Sequence, residues 1–141
     1  MRHDLVLRVV AKLLIPFILL FALYVQFHGD FGPGGGFQAG VIIAAAIIFH
    51  GLIYGLDAAR KAMPDRVVET MVAAGVLIYA GVGLAGLFLG GNYLDYFVLD
   101  HDPVHGQHRG IFWVEVGVAV TVSGVMLKIF YMFTDRGRVD E

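Results

Sequence analysis

Four apolar runs of roughly 20 residues each dominate this chain, and that is the length an α-helix needs to cross a hydrocarbon core of ~30 Å at ~1.5 Å per residue. They cover residues 13–27, 37–56, 67–89 and 111–133, and the first can also be drawn from Leu5, which puts Arg8 and Lys12 on its first turns. Inside lipid every backbone N–H and C=O has to be satisfied within its own segment, so runs lacking strand-like alternation read as helices rather than barrel strands. Pro16 and the scattered glycines do not change this reading, since both residue types are tolerated in lipid-embedded helices. The expected fold is all-α: one polytopic transmembrane domain over residues 1–141, with four spans. The composition agrees, at 58% hydrophobic and 16% charged with a mean hydropathy of +0.76. A soluble domain has about 45–50% apolar and about 25% charged residues. A formal charge of −2 argues against a nucleic-acid surface, and the lack of Cys removes disulfides, thiolate nucleophiles and Cys-ligated metals from consideration.

Orientation follows from the basic residues. Arg2, Arg8 and Lys12 open the chain, Arg60, Lys61 and Arg66 join the second run to the third, and Lys128 lies toward the same side as Arg136 and Arg138. Of the ten Lys and Arg, Arg109 alone falls on the other side. The positive-inside rule then predicts cytoplasmic termini, with segments 28–36 and 90–110 facing outward. A basic start before an apolar run is also how a secretory leader begins, but no convincing small-x-small cleavage site follows, so the first run is read as a retained span. Tyr93, Tyr96, Phe97 and Trp113 are expected near the outer boundary and Tyr131 and Phe133 near the inner one, where amphipathic rings settle.

Helices in lipid associate by close packing, which small residues allow. Gly36, Gly40 and Ala44 recur at intervals of four in the second run, as do Gly51 and Gly55. The third run offers Gly81, Ala85, Gly86 and Gly90, and the fourth Gly117 and Gly124. Such smooth faces suit a protein embedded among other subunits better than a self-sufficient carrier.

Segment 28–38, His-Gly-Asp-Phe-Gly-Pro-Gly-Gly-Gly-Phe-Gln, is the sharpest local feature. Gly34, Gly35 and Gly36 each cost ~1 kcal/mol relative to Ala in a helix interior, so they serve geometry instead of helix propensity. Pro33 fixes its own φ. Two readings stand side by side. In one the segment is a tight turn whose glycines ease contact with a neighbouring protein of the same assembly. In the other its irregular backbone, with His28, Asp30 and Gln38, borders a cation route. The string Gly34–Ala39 also satisfies G-x-G-x-x-A, but a dinucleotide motif needs a preceding strand in an α/β unit, and both flanks here are membrane runs.

Charged groups inside a span cost at least ~2.5–3.5 kcal/mol at its centre, which makes them functional candidates. Glu115 lies about one turn inside the fourth run, and Lys128 lies in its inner third. Thirteen residues separate them, or about 220° and ~20 Å along a helix, so they cannot pair with each other. Lys128 can reach the cytoplasmic headgroups on its long stem, whereas Glu115 needs a polar environment. His50 either relays protons or is satisfied in a packed interface, and Glu69 beside Arg66 reads as a surface charge. The loop 100–108 holds His101, His105, His108, Asp100 and Asp102, but Pro103 and Gly106 are expected to prevent a helical ligand array, so no metal site is assigned. No catalytic triad or acid–base carboxylate pair has a scaffold, and the chain is not read as an enzyme.

His28-Gly29, then Pro33-Gly34-Gly35-Gly36-Phe37, then a Gly/Ala-rich second span and a last span reading Phe112-Trp113-Val114-Glu115-Val116-Gly117-Val118, resemble the MnhB/MrpB family, small membrane components of the Mrp-type multisubunit Na+/H+ antiporters. The resemblance covers roughly residues 13–132. It implies a small subunit of a hetero-oligomeric complex in a bacterial or archaeal cytoplasmic membrane, which exchanges internal Na+ for external H+ beside other subunits and without a cofactor. Pro33, the three glycines and Phe37 match the family's motif, and Glu115 matches a position usually held by Asp. Asp30 stands where Asn is common, Gln38 where an aliphatic residue is common, and Lys128 has no obvious counterpart. A similar subunit serves membrane-bound hydrogenase complexes, which is the competing host, and an assembly scaffold without ion contact is the third reading.

Overall fold

The computed structural model describes residues 2–29 and 34–139. Its helices are α1 (Arg2–His28), α2 (Gly36–Tyr54), α3 (Leu56–Ala62), α4 (Asp65–Phe88) and α5 (Pro103–Val139), with one 3-10 turn at Tyr96–Leu99. Four of the helices are long and apolar enough to cross a membrane, over Asp4–His28, Gly36–Tyr54, Asp65–Phe88 and Pro103–Gly137. The all-α class with four spans is as the apolar runs indicate, and among the described residues there is no strand.

The ends of the helices differ from the apolar runs for local reasons. α1 takes in Arg8 and Lys12, as the longer reading of the first run has it, starts three residues ahead of Leu5 and passes through Pro16. α2 stops at Tyr54, because Gly55 adopts φ +99, a conformation closed to a continuing helix. The largest correction falls on α5, which starts eight residues ahead of the expected span. Asp102 Oδ1 accepts the Val104 N–H at 3.0 Å and Pro103 occupies the first helical position, where its missing N–H costs nothing. Pro103 and Gly106 therefore open a helix instead of preventing one, and His105 and His108 lie on it. Among the described residues no three His, Asp or Glu side chains converge as a metal-ligand group.

The spans stand in a row, in the order α1, α2, α5, α4. Glycines set the spacing. A Cβ on Gly40 would lie 2.8 Å from the Ala119 carbonyl oxygen, and one on Gly117 would lie 2.9 Å from the Gly75 carbonyl oxygen. One on Gly124 would lie 2.9 Å from Val72 Cγ2. α5 is thus gripped between α2 and α4, while α1 rests on α2 through a stripe that includes Ala11 and Ala22. Gly81 is different: nothing lies within 4 Å of where its Cβ would be.

A packed knot closes the α3 end. Ala44, Leu56, Ala59, Val68, Leu127 and Tyr131 are buried together there. The Tyr131 hydroxyl donates to the carbonyls of Met63 at 2.8 Å and Ala59 at 3.2 Å. Arg60 lies 5.4 Å from the Tyr131 ring centre, donates to Asp135 and sits 3.4 Å from Asp65. The bond to Asp135 holds the Arg60 guanidinium above the ordinary arginine range. At the opposite end segment 89–102 folds back over α4 and α5. Its Tyr93 ring seats on Gly83 and its Tyr96 ring on Gly110, and burial pushes the Tyr96 phenol up. Tyr93 and Phe97 stay about half exposed, as boundary aromatics would.

Candidate functional site

α1 ends, α2 begins and α5 passes at the end of the row that carries the 3-10 turn. Gly36, the first residue of α2, meets α5 so closely that a Cβ there would overlap the Glu115 carbonyl. This contact aims the Glu115 side chain at the α1–α2 junction. A Cβ built on Gly29 would lie 3.0 Å from Glu115 Oε2, and one on Gly35 would lie 3.2 Å from Glu115 Oε1. Gln38 Oε1 lies 3.3 Å from that same point beside Gly35. The half-buried carboxylate thus rests in a niche whose walls are glycine. Gly35 has φ +140, a region that L side chains avoid, so the backbone there favours glycine, and a Cβ would also press on the Glu115 and Gln38 side chains.

Gly29, Gly35, Gly36, Gln38 and Glu115, drawn from three helices or their ends, therefore converge. Gly34 backs the niche, with a Cβ position 2.8 Å from the Val25 carbonyl oxygen. His28 stacks on Tyr24 with ring centres 5.2 Å apart, at the last turn of α1. Phe37 is 61% exposed and projects from the start of α2. Asp30 and Pro33 lie outside the described residues.

Two other candidates are elsewhere. His50 lies twelve residues beyond Gln38, or ~18 Å along α2, and stacks on Tyr54 at 4.8 Å. The Tyr54 hydroxyl in turn donates to the Arg8 carbonyl, tying α1 to α2. Lys128 Nζ sits 2.7 Å from Glu69 Oε1, so its charge is met on α4 and not only by headgroups. Glu69, read from the sequence as a surface charge beside Arg66, is that partner.

Two residues near the end of α1 have no role assigned from the sequence. Gly29 touches the carboxylate, and in the sequence it stands out only as part of segment 28–38 and of the His28-Gly29 pair, with no role assigned to it by itself. Gln26 is 7% exposed, and among the described residues neither its Oε1 nor its Nε2 has a hydrogen-bond partner. A lone amide in an apolar run was the available signal.

Chemically, the niche offers two carboxylate oxygens and a carboxamide oxygen around glycine backbone. It has acceptors suited to an alkali cation or a proton, and among the described residues it has no nucleophile. A carboxylate placed where water is scarce is neutralised by pairing, by protonation or by a cation, which is the requirement for a group that exchanges one for another.

The family model described as a domain related to the MnhB subunit of Na+/H+ antiporter matches residues 6–128. The B-type Na+/H+ antiporter subunit of Alkalihalophilus pseudofirmus is 32% identical over 130 residues, covering 85% of this chain and 90% of the relative. Its namesake in Bacillus subtilis is 30% identical over 133 residues, covering 85% of this chain and 90% of the relative. Both the length of the match and the identity are those of a shared family, and this chain belongs to the MnhB-related domains of Na+/H+ antiporters.

Proposed function

We propose that this chain is the small membrane subunit of a Mrp-type Na+/H+ antiporter complex, a multi-pass component of the cytoplasmic membrane that works with other subunits. Its role is in transport rather than in catalysing a covalent reaction. Within it Glu115 handles the cation or couples its movement to the neighbouring subunits. The observation that carries this reading is the Glu115 carboxylate held against Gly29 and Gly35 with Gln38 alongside. An acidic group inside a span is expensive, and here three helical segments are built around it.

The open row supports the need for partners. α5 is flanked on two sides, but α1 packs mainly on α2 and touches α5 only near its end, where Phe27 stacks on Phe112, and the spans do not close around a common polar channel among the described residues. Both broad faces are left to lipid or to other subunits. The cation and proton therefore travel at the border between this chain and its neighbours.

The test replaces Glu115 with Gln in the assembled complex. Na+/H+ exchange in everted membrane vesicles should fall by about tenfold or more while the subunits still copurify, since a lost transition-path charge of even ~1.4 kcal/mol changes a rate tenfold. Normal exchange from a normally assembled Glu115→Gln complex would reject the reading.

A further inference from the structure

Two hollows lie between α4 and α5 on one side of the row of spans. One, of about 280 Å³, is walled by Val67, Thr70, Met71 and Ala74 of α4 and Val120 of α5, with Arg66 on its lining. The other, of about 350 Å³, lies toward the 3-10 turn between Gly81 and Ala85 of α4 and Trp113 of α5, with Arg109 on its lining. Val67, Met71, Ala74, Gly81 and Ala85 fall at helical intervals that keep them on one face of α4. Each hollow is apolar within and carries a guanidinium toward the end of its span.

The two guanidinium groups differ in what they already hold. Arg109 sits 3.4 Å from Asp100. Arg66 is exposed, and among the described residues no carboxylate meets it. The two acidic residues nearest to it along α4 are committed elsewhere: Asp65 lies 3.4 Å from Arg60 Nε, and Glu69 lies 2.7 Å from Lys128 Nζ. The Thr70 hydroxyl is turned back onto the Arg66 carbonyl at 2.7 Å. The Arg66 guanidinium is therefore the polar group of this hollow left for a ligand, and the ligand it suits is an anion, which a guanidinium can hold by two parallel N–H bonds.

The depth of the hollow says what the anion is attached to. Arg66 stands in the first turn of α4, and Ala74 lies eight residues on, or ~12 Å into the span, against ~15 Å for the hydrocarbon of one leaflet. A charged mouth over an apolar slot of one leaflet's depth has the shape of a phospholipid. A transmembrane helix laid on the same face would instead cover the unpaired Arg66 charge, which is costly without an acidic partner. The distribution of basic residues predicts that this end is cytoplasmic, and basic pockets between spans on that side suit anionic headgroups.

We propose that the hollow between α4 and α5 headed by Arg66 binds one anionic phospholipid, its phosphate on the guanidinium and an acyl chain along Met71, Ala74 and Val120. The site is separate from the Glu115 niche and stands whether or not Glu115 handles the cation.

The experiment counts lipids bound to the purified full-length chain by native mass spectrometry, with phosphatidylglycerol and phosphatidylcholine of the same acyl chains offered in equal amounts. The parent should favour phosphatidylglycerol by about threefold or more, and a smaller preference overturns the inference. Arg66→Gln should abolish the preference, and its persistence overturns the site. Arg109→Gln removes the same charge from the chain and should keep the preference; its loss there would assign the effect to net charge and overturn the site. Ala74→Phe fills the slot with Arg66 intact and should weaken phosphatidylglycerol binding by about threefold or more, whereas undiminished binding overturns the placement of the chain. If Arg66→Gln does not fold, Ala74→Phe decides by that same criterion, and failure of both to fold makes these packing positions and overturns the inference. No lipid preference in the parent, together with loss of copurifying subunits in Ala74→Phe, would make the hollow a docking face for a partner's helix instead.

Discussion

Gly75 shows how little room a single position leaves. A Cβ at this residue would overlap Thr121 Oγ1 and come within 2.6 Å of the Gly117 carbonyl oxygen, and backbone cannot yield as a flexible side chain can. Gly75→Ala is expected to push α4 off α5 and to destabilise the chain by about 1–3 kcal/mol, the usual cost of overpacking. Gly81→Ala, one and a half turns along the same helix in open space, should instead be neutral or stabilising, by up to ~1 kcal/mol from helix propensity. Thermal unfolding of the two variants in one detergent checks the contrast, and equal melting temperatures would contradict the packing described. Which glycines matter was only half legible in the sequence. The spacing of Gly36, Gly40 and Ala44 announced a smooth face on α2, and all three are buried. Nothing local told Gly75 from Gly81, because the difference lies in what the opposite helix presents. Gln26 escaped notice for a related reason: an uncharged amide barely disturbs an apolar run, and its isolation is a property of the packed seam.

At the scale of elements, α3 is too short to be stable by itself and is held by side chains from α5. Seven residues make about two turns, below the length at which an isolated helix survives in water. Tyr131 supplies the hold, with its hydroxyl donating to two carbonyls at the end of α3 while its ring is 1% exposed. Tyr131→Phe keeps the ring and removes both bonds, and should destabilise by roughly 1–3 kcal/mol because the Met63 carbonyl loses the hydroxyl, whereas the Ala59 carbonyl still accepts the Met63 N–H. Amide hydrogen exchange should report it as faster exchange in α3, with the spans unchanged. Uniform exchange along the chain would show that α3 is secured by other means. The four spans were legible because the length of an apolar run is a local property. The reach of α5 to Pro103 was not, since Pro and Gly read as breakers until the cap formed by Asp102 and the fold-back of Tyr96 onto Gly110 are both in view. Likewise the partner of Lys128 sits 59 residues away on α4, a distance that no helical spacing anticipates.

For the whole molecule, the row of spans makes orientation the decisive question, because the Glu115 niche and the α3 knot lie at opposite ends of it. The nine-to-one distribution of basic residues predicts that the α3 end is cytoplasmic, in which case the niche faces outward and an ion held there is close to the exit of a sodium efflux route. The chain has no Cys, so single cysteines report cleanly. Lys61 on α3 and His101 beyond the 3-10 turn are both exposed and suit labelling. A membrane-impermeant maleimide should modify His101→Cys in intact cells and Lys61→Cys only in everted vesicles. The reverse pattern would put the carboxylate beside the cytoplasm, where it would serve as the site of ion capture instead of release. The labelling result thus fixes which side of the membrane the proposed Glu115 site faces.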